Sequence, residues 1–136
     1  MFFDDHAQHL TLEECQALLA SASVGRVSTT LRALPVVVPV NYGYLGGSII
    51  LAMGAGPTQR AISGGNIIGF GVDNAHRPEP FWGLLIIGRA NEILDPDACA
   101  DYQRLGLTAP SAKPASPTHY LQLMPDIILG HGTPTG

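Results

Sequence analysis

The stretch Gly54-Ala55-Gly56-Pro57-Thr58-Gln59-Arg60 has residue types that could hold an anion. Glycines let a backbone approach a phosphate, and a short helix opening near Thr58 would aim its first N–H groups at it. Thr58 adds a hydroxyl and Arg60 a fork of donors. The plainer alternative is a Gly-Pro loop with a solvated Arg60. Arg26 is a second candidate. In an otherwise apolar segment it needs a partner, because an unpaired buried charge is costly. That partner is a ligand, or a carboxylate such as Glu92 or an Asp.

Other chemistry is sparse. His6, His9, His76, His119 and His131 are dispersed, and none is spaced as a metal pair with a second His, Cys or carboxylate. His76 or His119 could line a substrate pocket, with solvent exposure as the alternative. No Gly-x-Ser-x-Gly elbow is present. Cys15 and Cys99 lie far apart and read as reduced core thiols. Trp82, the sole Trp, is either core packing or an aromatic wall for a ligand.

Composition narrows the function classes. Lys and Arg total 7 against 11 Asp and Glu, a net charge of −4, and the basic residues are scattered. No cluster could neutralise several neighbouring phosphates, so nucleic acid is not an expected partner. Hydrophobic residues make up 46% of the 136 and charged ones 13%, against about 25% charged in an average domain. A chain this short has much surface for its volume, and apolar surface that must be covered suggests a subunit interface. The start, Met1-Phe2-Phe3-Asp4-Asp5, lacks the basic and apolar regions of a signal peptide. No apolar run reaches the roughly 18 residues of a membrane helix. A cytoplasmic protein with no membrane partner is expected, built as a single domain over residues 1–136.

The elements that must position these residues follow from local patterns. Thr11 with Glu14 three residues on predicts a capped helix, with Leu10 stapled onto Cys15 and Leu12, Cys15, Leu18 and Leu19 on one apolar face. Strands are expected over 24–30, 35–44 and 48–53, with turns at 31–34 and 45–47. Pro39, lacking an N–H, belongs at a bulge or an edge. A short helix over 58–63 ends at Gly64-Gly65, and a strand covers 66–73. Residues 81–94 form a long strand bent at Gly83 and Gly88. Asp95 caps a helix running to about Leu105. A mobile loop is expected over 106–118, strands over 120–124 and 127–129, and a loose tail over 130–136. Tight turns between consecutive strands imply antiparallel pairing in a barrel or rolled sheet.

Several phrases, in this order, resemble the pyridoxamine 5′-phosphate oxidase-like, FMN-binding split barrels. Gly25-Arg26-Val27-Ser28-Thr29 is similar to that family's first strand. Leu34-Pro35-Val36-Val37-Val38-Pro39-Val40-Asn41-Tyr42 is similar to its second, residues 54–61 to its phosphate loop, and Leu84-Leu85-Ile86-Ile87-Gly88-Arg89-Ala90 to a later strand. The resemblance covers about residues 10–130. It implies a mainly β chain with a few short helices, folded as a six-stranded antiparallel split β-barrel. It also implies a homodimer with flavin grooves shared between subunits.

On this resemblance the cofactor is FMN. Its phosphate falls to Arg26, Thr58, Gln59 and Arg60. Its ring falls to Val38, Pro39, Val40, Asn41, Ala52, Met53 and Gly54, with Trp82 covering a face from the partner subunit. Asn41 would bond a ring carbonyl, or else satisfy a bulge beside Pro39. The family usually carries a base where this chain has Gln59, and Arg60 is one residue late, about 100° around a helix. The expected activity is oxidation or reduction of a small apolar or aromatic molecule at the flavin. Pyridoxamine phosphate itself is not the expected substrate, because residues 119–136 contain no Lys or Arg to hold its phosphate. The alternatives are a deazaflavin-coenzyme-dependent reductase, whose charged tail would want more basic residues, a non-catalytic carrier of flavin or haem, and a barrel that has lost its cofactor.

Overall fold

The computed structural model describes residues 8–77, 80–110 and 117–132. Helix α1 (Leu12–Ser21) begins as its spacing predicts. Thr11 Oγ1 accepts from the Glu14 N–H at 3.1 Å and Glu14 Oε1 accepts from the Thr11 N–H at 2.9 Å, so two otherwise orphaned donors are satisfied. Cys15 and Leu19 face the barrel and are buried. Leu12, expected on that face, is exposed on the rim of a groove it shares with Met124 and Ile128.

Six strands close into an antiparallel barrel: β2 (Val24–Leu31), β3 (Leu34–Leu45), β4 (Ser48–Gly54), β5 (Ile68–Asp73), β6 (Trp82–Glu92) and β7 (Thr118–Gly132). The order is β7-β4-β3-β2-β5-β6, and β6 returns to β7. A two-residue strand, β1 (Gln8–His9), adds to β7. Gly46 and Gly47 turn the β3–β4 hairpin with φ of 58° and 81°, the left-handed pair that suits strand twist. Arg32 and Ala33 make the β2–β3 turn with φ of 51° and 64°, a geometry their Cβ atoms resist.

Burial alternates strictly along the middle of β2, from Gly25 to Thr30, as expected of a barrel wall with one face inward. The interior is filled by side chains such as Val27, Val40, Leu51, Phe70, Ile86 and Leu121. A second, smaller cluster lies outside the wall. There Ile50, Ala52 and Tyr120 are covered by Leu107 and by helix α3 (Pro96–Arg104) through Cys99 and Tyr102. Helix α2 (Pro57–Ser63) follows β4 and contacts β6 and β2.

Three further expectations are corrected. The bend in β6 falls at Ile87/Gly88 and not at Gly83, whose pairing with His131 is regular. A Cβ at Gly88 would collide with the Met124 carbonyl, so glycine is required where the strands approach. Gly130, His131 and Gly132 are not a loose tail. They continue β7 between β6 and β1, because Cys15 and Leu10 pack where side chains on the glycines would stand. Residues 106–110 of the expected mobile loop are not free either, being pinned over the barrel wall by Tyr120, Asn41 and Thr118. The rest of that expected loop, 111–116, and the tail 133–136 lie outside the described residues. Among the described residues no helix is long and apolar enough to cross a membrane.

Candidate ligand-binding site

The site arises where two strands part. β3 pairs with β4 only from Asn41 to Leu45, ending at Asn41 opposite Ala52. Before that point, from Leu34 to Val40, β3 pairs with β2 alone. Pro39 therefore sits where one side of β3 is unpaired by the sheet, the position a residue without an N–H can hold. β4 runs on to Gly54 along β7 and then turns through Ala55 and Gly56 into α2.

The gap is a cavity of about 310 Å³, near the lower end of the roughly 300–1,000 Å³ of small-molecule sites. Val38, Pro39, Val40 and Met53 give it an apolar wall. Residues 54–59 give it a backbone-rich end, and Pro110 also lines it. Gly56 caps α2 without a side-chain bond. The N–H groups of Thr58 and Gln59, in the first turn, therefore have no acceptor within the helix.

Gln59 is turned inward. It is only 5% exposed, and its Nε2 donates to Glu92 Oε1 at 2.9 Å and to Ser63 Oγ at 3.1 Å. The other carboxylate oxygen of Glu92 meets His119 Nδ1 at 3.3 Å. Gln59 and Glu92 are 33 residues apart, so nothing in the local sequence reveals this cluster. It depends on the register that sets Glu92 opposite Leu121 and His119 opposite Met53.

The strap over residues 105–110 closes the outer side. Tyr120 donates its hydroxyl to the Leu107 carbonyl at 2.6 Å, Asn41 Nδ2 donates to the Thr108 carbonyl at 2.8 Å, and the Ala109 N–H donates to Thr118 Oγ1 at 3.2 Å. Asn41 thus fastens the strap. Asn41 also lines a second cavity of about 370 Å³, with Leu45, Leu105 and Leu107 among others.

Of the residues the sequence singled out, the cavity gathers Val38, Pro39, Val40, Met53, Gly54, Thr58 and Gln59. Ala52 is apart from it, fully buried beneath the outer cluster. Arg60 is exposed on α2 and does not line the cavity. Arg26 is on the exposed face of β2, opposite Pro39 in register. It is not buried, and its suggested partner Glu92 is held by Gln59, Ser63 and His119 instead. Trp82 packs on the barrel core and lines a different cavity of about 490 Å³, with His76 and Arg77. His9 and His131, far apart in sequence, face each other across β1 and β7 with ring centroids 4.3 Å apart. No group of three or more metal-ligating side chains is present among the described residues.

The fold agrees with comparisons to known proteins. Residues 11–131 match the family model of pyridoxamine 5′-phosphate oxidase, and the chain belongs to that family. The Mycobacterium tuberculosis protein Rv0080 is 32% identical over 102 residues, 71% of this chain and 67% of that protein. The FAD-binding protein of Mycobacterium smegmatis is 26% identical with a TM-score of 0.72, covering 95% of this chain and 100% of that one. An FAD-binding protein of Mesorhizobium loti has a TM-score of 0.74 at 20% identity, over 94% of this chain and 99% of that one, a likeness of fold.

Proposed function

We propose that this chain binds a flavin in the cavity between β3 and β4 and uses it to oxidise or reduce a small molecule. The observation that carries this reading is the meeting of an apolar wall, Val38, Pro39, Val40 and Met53, with a backbone-rich turn at residues 54–59 in one gap. A flavin ring needs a flat apolar slot, and its ribityl chain and phosphate need hydrogen-bond donors. The wall fits the ring. The Thr58 hydroxyl and first-turn N–H groups fit the polar chain, but no Lys or Arg lines the cavity. Membership of the family and the likeness to FAD-binding proteins support the same reading.

A bound flavin would supply hydride acceptance and return. The chain's own part would be to seat the ring on Val38, Pro39, Val40 and Met53 and to hold the polar chain at residues 54–59. The second cavity is lined by Tyr42, Leu45, Leu105 and Leu107 together with Ser23 and Asn41, which favours a small neutral or aromatic substrate. A second copy of the chain would complete the site, since Val37 at 63% and Ile127 at 47% exposure leave apolar outer surface to cover.

An absorbance spectrum of the purified protein tests the reading. Flavin bands that bleach with dithionite and recover in air are expected. A colourless protein that takes up no flavin on titration contradicts it, and a Soret band would favour the haem carrier.

A further inference from the structure

The charge behind the turn at residues 54–59 bears on which flavin the chain takes, an inference that rests on the flavin reading above. Glu92 holds the inward-turned amide of Gln59, and His119 touches the same carboxylate. The Gln59–Ser63–Glu92–His119 cluster thus sets a carboxylate, and no Lys or Arg, behind the turn. Arg26 and Arg60 are exposed, where water and salt screen them. A phosphate at the turn would therefore meet backbone N–H groups and the Thr58 hydroxyl, which satisfy oxygen lone pairs without cancelling charge.

A phosphate monoester carries roughly −1.5 to −2 near neutral pH, whereas each phosphate of a diphosphate diester carries a single charge. We propose that Glu92, acting through Gln59, sets the site against the phosphomonoester of FMN and toward flavins that bring less charge to the turn. These are FAD, with one charge on its first phosphate, and riboflavin, with none. Glu92 is then a positioning residue for flavin choice. Its carboxylate fixes the Gln59 amide inward and adds a fixed negative charge whose repulsion grows with the charge of the ligand.

Calorimetric titration of the full-length chain with riboflavin, FMN and FAD tests this, in wild type and in Glu92→Gln, which keeps the hydrogen-bonding shape and removes the charge. Wild type is expected to bind FMN no more tightly than riboflavin, and FAD more tightly than FMN. Glu92→Gln should tighten FMN about five-fold while riboflavin moves less than about two-fold. Raising salt should leave wild-type FMN affinity unchanged or improved, since a repulsion is being screened. The proposal is overturned if wild type prefers FMN to riboflavin by about ten-fold or more with affinity falling as salt rises, or if Glu92→Gln shifts all three flavins alike. Should Glu92→Gln not fold, the wild-type ranking and salt response decide alone. Binding of no flavin by wild type overturns the flavin reading itself, a result distinct from a wrong ranking.

Discussion

Tyr42 places its hydroxyl 2.6 Å from the Leu19 carbonyl, tying β3 to the end of α1 inside the core. Removing the donor leaves a buried carbonyl unsatisfied, so Tyr42→Phe should cost about 1–2 kcal/mol in urea unfolding. The same burial raises the Tyr42 phenol above its ordinary 10.0. Burial, with a smaller push from Glu14, raises the Cys15 thiol above its ordinary 9.0. Native protein holds these protons more tightly than the unfolded chain, so stability is complete below the ordinary values and falls as pH climbs past about 9–10. His131 moves the other way: burial first, and His9 second, lower it below its ordinary 6.5. There the unfolded chain takes up the proton more readily, so stability should fall as pH drops below about 6.5. Denaturation midpoints measured from pH 5 to 11 should form a plateau with both shoulders. A midpoint that keeps rising through pH 10 would contradict the alkaline shoulder. At this scale the sequence named seven residues that line the cavity, but also Arg26, Asn41, Ala52, Arg60 and Trp82, which do not, and it did not show how any of them point. Gln59 stood out as a residue in place of a base, yet its bond to Glu92 exists only through barrel closure.

At the scale of elements, glycines and caps were the readable signals. The Thr11–Glu14 box, the Gly46-Gly47 turn and the Asp95-Pro96 start of α3 are local devices, and each forms where its residues stand. Partnerships between distant strands were not readable. Gly83 and Gly88 look alike in sequence, but the register shift falls at Gly88, where a Cβ would meet the Met124 carbonyl. Gly88→Ala should cost about 3 kcal/mol through overpacking. Gly71→Ala should cost about 1 kcal/mol or less, because its Cβ would meet nothing nearer than the Leu84 carbonyl at 3.9 Å. Equal losses in thermal denaturation would contradict the bulge geometry. Residues 106–110 of the strap were expected to be mobile because the stretch 106–118 is rich in Pro, Ala and Ser. They are held instead by Tyr120, Asn41 and Thr118, contributed by strands they cross. Asn41→Ala should speed amide exchange at Leu107 and Ala109 without lowering the midpoint of global unfolding by more than about 1–2 kcal/mol.

For the whole molecule, the apolar excess of the sequence proves to have two destinations. Part fills the barrel, and part forms the outer cluster under α3. A remainder, with Val37 and Leu34 on β3 and Met124 and Ile127 on β7, stays exposed. That remainder is the surface we assign to a second copy. Sedimentation should report a dimer, and Val37→Asp should shift it toward monomer while circular dichroism is unchanged. The barrel's closure was foreseeable from tight turns and the order of family phrases. The position of the cavity was foreseeable only in part, since it depends on β3 and β4 parting after Asn41 and Ala52.

The central claim is that the gap between β3 and β4 holds a flavin ring. Gly54 ends β4 at the cavity wall, and a Cβ built there meets nothing within 4 Å. Gly54→Leu should therefore fill the gap without disturbing the core. Riboflavin, FMN and FAD titrated into wild type and Gly54→Leu, followed by flavin fluorescence and by circular dichroism of the protein, give the decisive comparison. The account predicts saturable binding of at least one flavin by wild type, weakened about ten-fold or more in a Gly54→Leu protein with the same dichroism. Unchanged flavin affinity in the folded variant would place the flavin elsewhere, and no binding by wild type would contradict the account.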